Sequence, residues 1–395
     1  MEYRLDSVGG DRLVKKRIII DARMVFPQTH GIGRYVKNLA IGLAEIEKER
    51  GLAYEPVFLV GHKHPGLLPN AFEAVPVRAP FLNPSELIEI PSQLKRLGAD
   101  FYHSPSFSSL AYSPCPWIAT IHDLNHLKFG NAKQKIYYHL LLKRFAKNAR
   151  ALLTVSEFAK NELCDWLSLP TSQIEVVYNA LEPGFVNQVQ ISSESARKEF
   201  QNLAERKGWK VRSGEYLICL SNSKPHKNLP HLIDSYVKAA GPASLPLMIS
   251  VGPSEVAIPA NGQVILTSHL NDIEARLVLA HARAAVFPSQ YEGFGLGPLE
   301  AMVGGTPLLV SDIAPHREGL RDFAVEHTHW LKWLKSDDLT GWSDAISDLA
   351  ISDPAGMRVD PRFAAARKDA LDRYSVKRLA EHMDRIYTNV LRDKL

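Results

Sequence analysis

Aliphatic and β-branched runs, each only a few residues long, alternate with amphipathic stretches along this 395-residue chain, and the alternation starts afresh half-way. In the first half, strands are expected at residues 17–22, 56–60, 101–103, 117–121, 151–155 and 174–178. Between the first two, Val36, Leu39, Leu43 and Ile46 fall on one face of a helix. In the second half, strands are expected at 216–220, 247–251, 264–267, 285–288 and 308–310. Asn271 is placed to cap a helix carrying Ile273, Leu277 and Ala280 on one face. Such alternation builds open parallel sheets flanked by helices. A mostly polar stretch from Glu182 to about Arg212 interrupts it. The expected fold is therefore α/β, two Rossmann-like parallel-sheet domains facing a cleft, with ligands beyond the C-terminal ends of the strands. The boundaries expected are 1–182, 183–374, and a basic amphipathic helix over 375–395.

The densest chemical signal is the run AVFPSQYEGFGLGPLEAMVGGTPLLVSD. A strand feeds the glycine-rich loop Glu292 to Gly297. Pro298 follows where a first helical turn tolerates proline. Gly304 and Gly305 close the helix. Strand, glycine loop and helix N-terminus aim free backbone N–H groups at one spot, which suits a phosphate. Glu292 and Glu300 lie in the loop and about one turn into the helix. Beside a phosphate, carboxylates are tolerable when they accept hydrogen bonds from hydroxyls, and sugar and ribose hydroxyls are natural partners. The competing reading is a tight turn with one solvated and one capping glutamate.

The segment YEGFGLGPLEAMVGGTPLLVSD resembles the signature of retaining, nucleotide-sugar-dependent glycosyltransferases of family 4, the group 1 enzymes with the GT-B fold. The resemblance extends over nearly the whole chain. It implies that Glu292 contacts hydroxyls of the donor sugar and that Glu300 binds the nucleotide ribose. Phe294, Gly295, Leu296 and Gly297 would supply the loop amides that hold diphosphate and sugar. Gly297 stands where family members often have proline. The resemblance also implies a C-terminal helix that crosses back to the first domain.

After the expected strand at 216–220 comes SNSKPHKN, with Lys224, His226 and Lys227. Cations at a strand's C-terminal end can neutralise a leaving diphosphate; the bland alternative is a polar loop. The family carries an Arg and a Lys here. Lys227 matches the lysine, whereas Asn222 occupies the arginine position, which leaves Lys224 to compensate.

Two further loops fit the resemblance. Gly31-Ile32-Gly33 opens the first helix, at a spacing that does not meet the three-glycine dinucleotide fingerprint. By resemblance Gly31 and Gly33 approach the donor phosphate, with Arg34 as an anion contact. His122, with Asp123, ends a strand. Alone it reads as structural; by resemblance it contacts the transferred sugar. Ser156 and Glu157 read equally as site residues or as an N-cap, and Asn179 as part of the turn between domains.

Composition narrows the class. Lys and Arg exceed Asp and Glu by 47 to 43, a mild excess that favours small anions over nucleic acid. Three scattered cysteines form no disulfide or zinc framework, which with the N-terminal residues suits the cytoplasm. Residues 131–150 hold Lys133, Lys135, Lys143, Arg144, Lys147 and Arg150 with Ile136, Tyr137, Leu140, Leu141 and Phe145, and no acid. That pattern reads either as a core helix with a solvated basic face or as a surface for anionic membrane lipid. The resemblance favours the second, with peripheral contact at the inner face of the cytoplasmic membrane.

The expected reaction moves a hexose, mannose from GDP-mannose first, onto a glycan or lipid-linked saccharide acceptor in bacterial surface polysaccharide or lipopolysaccharide assembly. UDP-sugars and dTDP-rhamnose are the other donors, with the base near residues 267–270. An epimerase, a hydrolase or a non-catalytic binding scaffold are the rival classes. The resemblance implies a same-face displacement with no metal and no cofactor.

Overall fold

The computed structural model describes residues 15–26, 31–63, 66–81, 83–108, 110–182, 184, 194–239, 244–259, 263–325, 329–348 and 354–392. The first 14 residues, the approach to Gly31 at 27–30 and much of the polar stretch after Glu182 lie outside them. The chain divides into two compact units, Met1–Ala180 with Tyr374–Leu395, and Leu181–Arg373.

The first unit is built on a seven-stranded sheet in the order β3-β2-β1-β4-β5-β6-β7, every pairing parallel. The strands are β1 (Lys16–Asp21), β2 (Tyr54–Gly61), β3 (Glu73–Val77), β4 (Phe101–Ser104), β5 (Trp117–Thr120), β6 (Ala151–Thr154) and β7 (Ile174–Val176). Helices cover a parallel sheet on both faces, so its central strands read as unbroken apolar runs. Ile18, Ile19 and Ile20 of β1 are all fully buried, each worth about 1.5–3 kcal/mol against exposure. β3 was not among the expected strands. It carries Pro76 and alternates exposed with buried residues, as an edge position allows.

The helix Gly31–Arg50 buries Val36, Leu39, Leu43 and Ile46, the face its spacing defines. The helix Val376–Leu391 belongs to the same unit. Ser375 caps its start, its Oγ accepting the Arg378 N–H at 3.1 Å. The two helices cross at Gly42, where a Cβ would lie 2.5 Å from the Ala380 Cβ and 2.8 Å from the Val376 carbonyl oxygen. Inside the unit, the Tyr387 hydroxyl meets Nδ1 of the fully buried His103 at 2.6 Å, and His103 Nε2 meets the Thr120 Oγ1 at 2.9 Å. A polar chain thus ties the C-terminal helix to the ends of β4 and β5.

Residues 131–150 are not one regular helix. Ala132–Tyr137 is α-helical, Tyr138–Leu142 makes a π turn, and short turns Lys143–Phe145 and Ala146–Asn148 follow. The wider turn carries Tyr138, Leu142 and Ala146 into the core. Ile136 and Leu140 are left 56% and 65% exposed among the basic residues.

The second unit has a six-stranded sheet in the order β10-β9-β8-β11-β12-β13, again all parallel. Its strands are β8 (Leu217–Cys219), β9 (Leu247–Ile249), β10 (Val264–Leu266), β11 (Ala284–Phe287), β12 (Leu308–Ser311) and β13 (Leu331–Leu334). β13, LKWL, is a short edge strand that the sequence pattern does not announce. Asn271 caps Asp272–Ala280 through a capping box with Glu274. Ile273, expected on the buried face, is 63% exposed, because Ala275, Leu277 and Val278 supply that face.

Candidate active site

In the second sheet the chain order reverses between β8 and β11. Sheets of this kind take ligands at such a switch point, beyond the C-terminal ends of the strands. After β8 comes the tight turn Pro225–Lys227, ended by Asn228 with φ +58°. After β11 comes the loop 288–295. The Gln290 N–H donates to the His226 carbonyl at 2.8 Å, and Asn228 Nδ2 donates to the Pro288 carbonyl at 3.3 Å. These bonds lock the two loops together.

Across the switch point, Lys227 Nζ lies 2.6 and 2.8 Å from the two Glu292 carboxylate oxygens. The pair is largely enclosed, with side chains 19% and 15% exposed. The Ser289 hydroxyl donates a third hydrogen bond to Glu292 Oε1, at 2.7 Å. Burial pushes the Glu292 carboxyl up. The Lys227 charge, with the hydrogen bonds from Lys227 and Ser289, outweighs it, and the carboxyl ends below its ordinary range, ionised.

Gly295 stands at the N-cap of the helix Leu296–Val303 with φ +86°, so a left-handed residue turns the chain into the helix. No side chain caps that helix start. Phe294 and Gly295 are buried, Leu296 and Gly297 half-buried, and Glu300 is buried one turn in. At Gly297 a Cβ would come 3.1 Å from the Phe287 ring. Gly305, with φ +79°, ends the helix. In the basic loop, Asn222 is half-buried and its Oδ1 accepts the Lys224 N–H at 3.1 Å, leaving the Lys224 side chain exposed.

His316 lies behind this constellation, in the first turn of Ala314–Gly319, and is 1% exposed. Its Nδ1 is 2.9 Å from the Ser311 carbonyl oxygen. The Ser311 hydroxyl in turn donates to the Ser289 carbonyl. The ring edge lies against Gly295, where a Cβ would come 2.7 Å from His316 Cδ2.

In the first unit, the order reverses between β1 and β4. Gly33 sits in the first helical turn, where a Cβ would lie 2.7 Å from the Met24 carbonyl oxygen. Among the described residues, nothing lies within 4 Å of that position at Gly31. His122, just past β5, is 5% exposed. Its Nε2 lies 3.0 Å from the Pro105 carbonyl oxygen, and its ring meets Tyr35 edge-on at 5.0 Å. Burial pushes the imidazole down to about 4, so it is neutral near pH 7. Asp123 turns back to accept the Asn125 N–H at 2.9 Å. Ser156 acts as an N-cap, accepting the Ala159 N–H at 3.0 Å.

Residues 29–185 match the family described as Glycosyltransferase Family 4, and residues 257–340 match Glycosyl transferases group 1. Together they cover more than half of the chain. It belongs to glycosyltransferase family 4.

Glycosyltransferases with the GT-B architecture are also its structural neighbours. Sucrose-phosphate synthase from Thermosynechococcus elongatus superposes with a TM-score of 0.69 at 15% identity, over 96% of this chain and 100% of that one. WaaG, a glycosyltransferase involved in lipopolysaccharide biosynthesis, gives 0.65 at 14% identity, over 93% and 99%. Among curated relatives, the O-antigen chain mannosyltransferase RfbU of Salmonella typhimurium is 28% identical over 240 residues, 58% of this chain and 60% of that protein. The MMP alpha-(1->4)-mannosyltransferase of Mycolicibacterium hassiacum is 29% identical over 177 residues, 43% and 38% of the two chains. The match thus spans about 60% of the first relative's own length.

The family motif drew attention to Glu292, Glu300 and Lys227, but not to Ser289 or His316. Ser289 sits three residues before Glu292, within a serine hydroxyl's reach of it. His316 stands one turn beyond a strand, with no local pattern to mark it.

Proposed function

We propose that this chain is a retaining glycosyltransferase that transfers a hexose, first of all mannose from GDP-mannose, onto a glycan or lipid-linked acceptor in bacterial surface polysaccharide or lipopolysaccharide assembly. The observation that carries the reading is the Lys227–Glu292 pair at the switch point, beside the left-handed turn at Gly295 and an uncapped helix start. In the pair, ammonium and carboxylate neutralise one another. A nucleotide sugar offers each a better partner: diphosphate oxygens for Lys227 and the helix N-terminus, sugar hydroxyls for Glu292.

In the transfer, the bond between the anomeric carbon and the phosphate oxygen breaks while an acceptor hydroxyl bonds to that carbon from the same face. The hydroxyl proton passes to the leaving diphosphate. Negative charge builds on that leaving group, so Lys227 and the loop amides of Gly295, Leu296 and Gly297 do most work there. Lys224, Asn222 and the Phe294 amide are assigned to the same phosphates, Glu300 to the nucleotide ribose, and His122, Gly31 and Gly33 to the sugar and its phosphate. The mannosyl donor is favoured by several of the relatives, RfbU among them, which are mannosyltransferases.

A calorimetric panel of GDP, UDP, dTDP and ADP with their sugars tests the reading. GDP-mannose is expected to bind, and NMR of the product to show the donor's anomeric configuration kept. Failure of every nucleotide to bind would refute it. Hydrolysis of donor unaffected by any acceptor would favour a hydrolase instead.

Peripheral membrane contact is proposed for residues 131–150, on the strength of Ile136 and Leu140 exposed among the basic side chains. Vesicles containing anionic lipid are expected to retain the protein at low salt and release it at high salt. Ile136→Ser with Leu140→Ser should weaken retention, and equal binding to neutral vesicles would sink the idea.

A further inference from the structure

We propose that His316 takes up one proton from solvent when a nucleotide sugar binds, and so replaces Lys227 as the positive partner of Glu292. The inference rests on the donor site proposed above and concerns how that site keeps its charge balanced.

The Ser311 carbonyl can only accept, so His316 Nδ1 carries the ring's hydrogen at 2.9 Å. Nε2 is then a bare lone pair. It is buried and has no hydrogen-bond partner among the described residues. The ring edge that bears it lies under Gly295, where a Cβ would come 3.5 Å from Nε2. The ring thus keeps an open buried acceptor beneath the glycine turn.

Four influences hold the ring neutral or push it toward the cation. Burial opposes protonation most strongly; Glu292 favours it, as does the hydrogen bond to the Ser311 carbonyl; Lys227 opposes it. Glu292, in the loop after β11, and Lys227, in the turn after β8, act on it through space. On its own helix, Arg317 is occupied by Asp312 at 2.6 and 2.8 Å. When a diphosphate draws the Lys227 ammonium toward itself, Glu292 loses its cation and the opposing charge moves off His316. The diphosphate adds negative charge nearby. All three changes favour the imidazolium. A proton from water binds Nε2, no bond of the donor is altered, and the proton leaves when the nucleotide departs and Lys227 returns.

The test is calorimetric titration of the full chain with GDP-mannose, and with UDP-glucose as a second probe, near pH 7 in buffers of different ionisation enthalpy. The diphosphate ester of a nucleotide sugar has no group titrating near neutrality, so any proton taken up is the protein's. The slope of apparent enthalpy against buffer enthalpy counts those protons. A positive slope, a substantial fraction of one proton per site, is expected, with affinity rising as pH falls from 8 to 6. In His316→Asn, whose amide can keep the hydrogen bond to Ser311, binding should persist with the slope gone. Wild-type binding with zero slope overturns the inference and leaves the donor site standing. An unchanged slope in the variant does the same. If neither nucleotide sugar binds the wild type, donor site and inference fall together.

Discussion

Lys227 is held by Glu292 and, in the proposed reaction, faces the charge that forms on the leaving group. Lys227→Ala should therefore lower kcat by on the order of 10²-fold, the scale of one lost transition-state charge contact. The folded state should survive, because Ser289 still holds Glu292. Steady-state kinetics decide it, and near-normal turnover would exclude the role. The two N-terminal glycines, alike in the sequence, should behave differently. Gly33→Ala drives a Cβ into the Met24 carbonyl at 2.7 Å, backbone that cannot swing aside. A loss of about 1–3 kcal/mol is expected from such overpacking. Gly31→Ala meets nothing within 4 Å among the described residues, and its stability should stay within about 0.5 kcal/mol of wild type. Urea melts of the two variants would settle the contrast.

Among the elements, the C-terminal helix depends on one contact that tolerates no side chain. Gly42→Val would place atoms where Ala380 and Val376 already stand, and should cost about 1–3 kcal/mol as the helices part. An unchanged urea midpoint would show that the crossing is not tight. The central strands were legible because burial on both faces demands aliphatic runs, and Ile18–Ile20 meets that demand. The edge strands β3 and β13 were not. A strand paired on one side only need not be continuously apolar, so Pro76 and Lys332 hide them. Residues 131–150 misled differently. Their apolar positions are too many for one face, and the π turn at Tyr138–Leu142 decides which go inside.

Buried histidines in both units give the whole molecule a common response to acid. Burial holds His103 near 3, and His122 and His281 near 4. Unfolded, each returns to about 6.5. The folded pKa values are depressed, so below 6.5 the unfolded chain binds more protons. The stability these groups allow is complete above that pH and is lost as pH falls toward 4. Each can remove roughly 1.4 kcal/mol per pH unit across that window. Denaturation midpoints at pH 7.5 and 5 would check it, and equal midpoints would contradict it. By itself the sequence determined that there are two α/β halves, that a glycine turn enters a helix between Glu292 and Glu300, and that a basic loop follows a strand. Each of those is written in residues adjacent along the chain. The tertiary structure alone decided that Lys227 meets Glu292, that His316 lies beneath Gly295, and that the last helix seals against Gly42. In a parallel sheet, neighbours are chosen by the crossovers between strands, and side chains far apart in sequence meet only once that order is fixed.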